Sequence, residues 1–372
     1  MDSKNQKVFC SEDSMKIKGI AIVLMMFHHC FGSADRFEAY NISFFPFSTE
    51  QFIRIASSFK ICVSLFAFIT AYGLTQSLKA SSKDFNLYQW YGKRFIKLFS
   101  GYWFAVILMS IICEIFGHYT SNIFFHEGFV RGTFYFLLQF FGLSSIFGTP
   151  MLIGTWWYMG AAVVFVLAIP LIWKITQEKY GMLFLLTAPV LLLRIQNANG
   201  IGYPGGETPY TFLYIVILGV LAAEKRWFEQ FTRVYGENKG FLLFTIFLLS
   251  FYKLCLSISP SRFWEINYNI FPAVLILYCW RYIIQLPILK DFLSFLGKYS
   301  MDIFYFHTFI RWMYFRDFIY SFPHFIFVIA ALLITSVLAA ILVKWAKVLI
   351  RYGKIVQTFE NYISDRLEKR KL

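Results

Sequence analysis

Apolar runs of fifteen to twenty-five residues recur along almost the whole chain, at 16–33, 57–78, 95–116, 155–173, 180–195, 209–223, 240–257, 268–282, 299–319 and 325–349. Charged residues gather in the short segments between them. A hydrocarbon core about 30 Å thick takes about 20 helical residues at about 1.5 Å each, so every run is a candidate membrane span. The pattern predicts an all-α fold, a polytopic membrane helix bundle of about ten transmembrane helices. A further run, 132–147, is sixteen residues long and holds Gln139 and Gly142. It reads as a re-entrant or interfacial element rather than a crossing.

Basic residues set the expected orientation. With a cytoplasmic amino terminus and no crossing at 132–147, the start of the chain, the segments 79–97, 174–179, 225–239 and 281–298, and everything from 344 onward face inward, carrying 26 of the 35 Lys and Arg. Counting 132–147 as a crossing reverses every later loop and puts the basic segment 225–239 outside, against the positive-inside rule. The expectation is therefore a multi-pass protein of the plasma membrane with both termini cytoplasmic. It divides into a leader at 1–15, a transmembrane domain at 16–350 and a basic tail at 351–372. The leader lacks a small-residue cleavage site, so the first run is expected to stay as an anchor. The tail is amphiphilic and suits a helix near anionic lipid, with a solvated positive tail as the plainer reading.

Composition narrows the classes. Hydrophobic residues make up 58% of the 372 positions and charged residues only 15%, too apolar for a soluble globule. The net charge of +14 is spread among the loops with no nucleic-acid module, so no nucleic-acid partner is expected. The outer loops 32–56, 117–131 and 196–208 are too short for a soluble catalytic domain, which confines any chemistry to the bundle or its mouths. Six scattered cysteines indicate neither a disulfide framework nor a metal site. The glycine-rich stretch 200–206 lacks the Lys-Ser/Thr of a phosphate loop and reads as an outer loop.

Two histidines stand out. His28 and His29 lie inside the first run, where an ionisable side chain is expensive and is by default a functional candidate. Lys18 and His29 are eleven residues apart, close to three whole turns, so they share one helix face, with His29 roughly 16 Å further along. His28 points roughly 80° away. The plain alternative is a histidine hydrogen-bonded between helices for packing. His307 lies nine residues beyond Lys298, or roughly 13 Å along a helix, a depth similar to that of His29. Tyr305, two residues earlier, points the opposite way. Trp156, Trp157 and Tyr158 open a run near the outer interface, where an aromatic belt is the ordinary reading and sugar stacking the other. His118, His126 and His324 fall in expected outer loops and read as incidental. No metal-ligand spacing is present, so no metal is expected.

The run Lys18-Gly-Ile-Ala-Ile-Val-Leu-Met-Met-Phe-His28-His29 resembles the opening motif of the acyltransferase 3 family of integral-membrane O-acyltransferases, in which a basic residue precedes the catalytic His by ten intervening residues. Leu65-Phe-Ala-Phe-Ile-Thr70-Ala-Tyr-Gly-Leu74 is similar to that family's second-span motif, and Lys93-Arg94-Phe-Ile-Lys97 with Tyr102-Trp103 to its basic cytoplasmic segment. Thr155-Trp156-Trp157-Tyr158-Met159 resembles its "WYL" motif, and Leu296-Gly297-Lys298-Tyr299-Ser300 through Tyr305-Phe306-His307 its closing motif. Lys18 and Lys97 stand where the family usually has Arg, and Thr70-Ala71 where it has Ser-Gly.

The resemblance implies transfer of an acyl group from a cytoplasmic acyl-CoA, usually acetyl-CoA, to a hydroxyl of a sugar or glycan. It implies His29 with Lys18 as the catalytic pair, Lys93, Arg94 and Lys97 as the donor-phosphate site, and Thr70, Trp157, Tyr158 and His307 as acceptor or positioning residues. Whether His29 acts as general base or carries the acyl group covalently stays open. For the three basic residues, positive-inside anchoring is an even rival. No bound cofactor is implied, acyl-CoA being a co-substrate. The implied partners are membrane lipid, a glycan or lipid-linked sugar acceptor and envelope-biosynthesis proteins. A proton-coupled transporter using His29, Asp302 and His307 is the rival from another class, although the halves of the chain show no internal repeat.

Overall fold

A computed structural model describes residues 9–81, 86–117, 119–198, 209–235, 245, 246, 249 and 266–368. Among them the regular secondary structure is helical, apart from one isolated bridge between Ser43 and His324. The helices used below are α1 (Ser11–Phe31), α2 (Thr49–Ser58), α3 (Cys62–Lys79), α4 (Leu87–Gly117), α5 (Phe129–Phe140), α6 (Trp157–Ile175), α7 (Gly181–Ala198), α8 (Leu213–Glu224), α9 (Phe271–Tyr278), α10 (Pro287–Thr308), α11 (Phe325–Leu349) and α12 (Tyr352–Glu368).

Five helices among the described residues are long and apolar enough to cross a membrane: Ser11–Phe31, Thr49–Lys79, Leu87–Gly117, Gly154–Ile175 and Phe325–Leu349. The candidate spans 180–195, 209–223, 268–282 and 299–319 coincide with α7, with α8, with α9 and its flanking π turns, and with α10 and the turns that follow it. The candidate span 240–257 and the glycine-rich loop 200–206 lie outside the described residues. The run 132–147 is broken into α5, only 12 residues or about 18 Å long, and the turn Ser144–Phe147. Its polar residue explains its place. Gln139 is buried and donates to the Tyr102 hydroxyl of α4, while its Oε1 accepts the Leu152 amide at 3.2 Å.

Three helix starts have a visible local cause. Asp13 Oδ2 accepts the Cys10 amide at 3.2 Å at the head of α1, and Glu12 and Asp13 in that first turn complement the positive end of the helix dipole. Ser48 and Gln51 exchange side-chain and backbone hydrogen bonds at the head of α2, so the helix begins well before the apolar run at 57 and passes through one tight turn into α3. His324 caps α11 by accepting the Ile326 amide at 3.4 Å, which gives this histidine a structural role.

The centre of the bundle is the pair α1 and α10. A Cβ on Gly19 would lie 2.2 Å from the Leu293 carbonyl oxygen, and one on Gly297 would lie 1.9 Å from that of Met15. The two backbones therefore touch where neither carries a side chain. Contacts advance together along both helices, from Met15 and Gly19 against Leu293 and Gly297 to His29 packed on His307, so they run parallel. The first and ninth spans of the sequence frame have this parity.

The tail does not stand free in solvent. Helix α12 folds back along the first half of α4, with Tyr352 donating to the Ser100 carbonyl at 2.8 Å, Phe359 against Trp103 and Asn86 donating to the Leu367 carbonyl at 3.2 Å.

Gly297→Ala forces α1 and α10 apart and is expected to cost about 1–3 kcal/mol or more. Gly73, which has open space where a Cβ would sit, serves as the comparison. Thermal unfolding of the detergent-solubilised protein checks this: the midpoint falls for Gly297→Ala and is unchanged or raised for Gly73→Ala.

Candidate active site

The parallel register decides what lies beside His29. Gly19 and Gly297 each precede a histidine by ten residues, so the point where the helices touch sets His29 and His307 at one level. Their ring centroids are 4.9 Å apart. His307 is fully buried and committed: Nδ1 donates to the carbonyls of Phe304 at 2.9 Å and Ile303 at 3.2 Å, and Nε2 accepts the Thr308 hydroxyl at 3.0 Å. His28 is held by the Ala56 carbonyl, 3.2 Å from its Nδ1. The His29 ring makes no hydrogen bond among the described residues.

His29 separates two spaces. On one side is an apolar recess of about 40 Å³ lined by Met25, Cys62, Phe66 and Tyr158. On the other is a cavity of about 690 Å³ at the end of α1, lined by His28, Arg36, Lys60 and Arg311 among others. His29, Thr155 and Trp157 line both and form the wall between them. The Thr155 hydroxyl in that wall is buried without a partner. Behind Trp157, Tyr158 shares a hydrogen bond with Thr70 of α3.

The larger cavity is cationic. The last turn of α1 leaves carbonyls without intrahelical donors, and Arg36 fills that need by donating to the carbonyls of His28 and of His29, the latter at 3.2 Å. Burial, and then the neighbouring Arg311, hold Arg36 below the usual arginine range. Arg311 sits in the π turn Phe309–Tyr314 that follows α10 and is 6% exposed. Its Nη1 donates to the Tyr320 hydroxyl at 3.2 Å, Tyr320 donates to the Cys30 carbonyl at 3.1 Å, and its Nε has no partner.

Of the predicted basic residues, only Lys18 and Lys97 are shown to act on one another among the described residues. Lys18 is half-buried, and the charged group acting on it is another cation, Lys97 of α4. Lys93 is exposed on the same helix. Arg94 donates to the Ser77 hydroxyl and lies over the Trp90 ring, so part of its guanidinium is already used in joining α3 to α4. Lys18 and His29 thus share a helix without meeting. Asp302 is ion-paired with Lys347 of α11 at 2.8 Å rather than turned toward either histidine.

A family model described as an acyltransferase domain, of the acyltransferase 3 type, matches residues 17–345. The chain belongs to the acyltransferase 3 family. No curated protein and no solved structure matches it.

Sequence reasoning about this membrane acyltransferase missed Arg36, Lys60, Arg311 and Thr155. Lys60 and Arg311 lie inside the apolar runs 57–78 and 299–319, where the rule that singled out His29 applies equally. Arg36 carries no such signal, because its role depends on the chain turning back onto the end of α1.

In this acyltransferase, Arg36→Ala removes a charged donor from two carbonyls of α1. The last turn is expected to loosen by about 1.5–3 kcal/mol, seen as at least tenfold faster amide hydrogen exchange in residues 28–32 with the rest of α1 unchanged.

Proposed function

We propose that this acyltransferase moves an acyl group, acetyl from acetyl-CoA in the simplest case, from the cytoplasmic side of the plasma membrane to a hydroxyl of a cell-surface or secreted carbohydrate, with His29 as general base. The observation that carries the reading is the state of His29. Its neighbours His28 and His307 are tied to backbone or hydroxyl partners, whereas its own ring is uncommitted and faces the cavity.

The proton and the bonds balance at this residue. Neutral imidazole accepts the acceptor hydroxyl's proton as the oxygen attacks the thioester carbonyl; the new C–O bond forms, the C–S bond breaks, and the departing thiolate takes the proton back as CoA-SH. The apolar recess beside His29 suits the acyl group, and Trp157 offers an aromatic face to the sugar. Lys18 and Lys97, with Lys93 and Arg94 on the same helix as Lys97, offer cations for the donor's phosphates. Two facing cations, Lys18 and Lys97, repel one another until an anion is bound. The arm between phosphates and thioester then spans roughly 16 Å along α1.

Membrane vesicles supplied with radioactive acetyl-CoA and a native glycan extract test the reading. His29→Ala is expected to lower transfer by about 10²–10⁴-fold, and His28→Asn, which can still donate to Ala56, to keep the larger part. Equal loss in both variants would remove the base assignment. Lys97→Gln is expected to raise the KM for acetyl-CoA more than it lowers kcat. A lower kcat at unchanged KM would count against a donor-phosphate role.

A further inference from the structure

The cavity beyond His29 has a charge balance that a neutral sugar does not explain. Arg36, Lys60 and Arg311 line it with the two imidazoles, and Asp35 is the carboxylate among the described lining residues, accepting from Ser33. Neither Arg36 nor Arg311 has a carboxylate at ion-pair distance among the described residues. A guanidinium as buried as that of Arg311, bonded to one neutral hydroxyl and keeping an Nε unpartnered among the described residues, carries a desolvation cost that a carboxylate or phosphate oxygen would offset. The π turn that interrupts the helix at Phe309 puts Arg311 on the cavity wall. At about 690 Å³ the space is the size of a site for one or two sugar rings.

We infer that the acceptor is an acidic carbohydrate, whose carboxylate or phosphate is held by Arg36, Lys60 and Arg311 while one of its hydroxyls stands at His29. This rests on the acyl-transfer reading above and adds the chemical class of the acceptor. The anion orients the sugar. Trp157 packs against the ring, and the charge excludes neutral glycans of the same size.

Equilibrium binding to the full-length protein in lipid nanodiscs, without acyl donor, tests it. The probes are radiolabelled disaccharides of equal length: one neutral, one carrying a glucuronate and one a terminal phosphate. Wild-type protein is expected to bind at least one acidic probe tenfold or more tighter than the neutral one, with a preference that shrinks as salt is raised. The tighter of the two acidic probes identifies carboxylate or phosphate. Arg311→Gln and Lys60→Gln are each expected to reduce the preference at least fivefold. Equal binding of all three probes by the wild type overturns the inference without relying on any variant, and so does a preference unchanged in both variants. In a second assay with acetyl-CoA added, a preserved acid preference with no acyl transfer to any probe would defeat the catalytic reading alone. Transfer that treats neutral and acidic probes alike would defeat this one alone.

Discussion

Helices in a membrane gain little from burying apolar surface against each other, because the lipid they displace is equally apolar; close backbone approach and polar contacts must hold them. In this chain that constraint is met where Gly19 and Gly297 let α1 and α10 touch without side chains between them. The arrangement of the site follows from the contact. Parallel helices in fixed register carry His29 and His307 to one level, and the π turn after α10 then turns Arg311 toward the end of α1, where Arg36 already caps the carbonyls. Asp13 bonded to Trp280 ties the start of α1 to the π turn that follows α9.

Charge is distributed along α1 in a way that complements this frame. Acidic Glu12 and Asp13 stand at its start and His28, His29 and Arg36 at its finish, each at the end of the helix dipole that favours it. Between them Lys18 faces a further cation on α4. The helix therefore joins two cationic regions with an apolar stretch between them. That geometry suits a co-substrate anchored on one side whose reactive end is used near the other.

Much of this was readable from the chain because lipid imposes a strict grammar on it. Run length and Lys/Arg placement identified a helical membrane protein, and the Lys18 to His29 spacing drew attention to the residue that borders both cavities. His307 was placed at the right level by counting from Lys298, yet its contact with His29 depends on which helices are neighbours, and intervals within one helix say nothing of that. The early start of α2 was written in Ser48 and Gln51, a capping pattern that a hydropathy window passes over. Arg311 was visible in principle, being a lone cation inside an apolar run. The role of Gln139 in tying α5 to α4 was not, since a polar residue in a short run reads equally well as exposed.

The wall formed by His29, Thr155 and Trp157 has a consequence for competing reactions. In the proposed reaction a thioester in the small recess would be packed among Met25, Phe66 and Tyr158, whereas the larger space is the more open of the two. Water is the nucleophile most abundant at such a boundary, and it would waste the donor by hydrolysis. If the acceptor proposed above fills the larger space, it displaces that water and presents its own hydroxyl to His29, so that occupancy by the acceptor would become the condition for using the thioester.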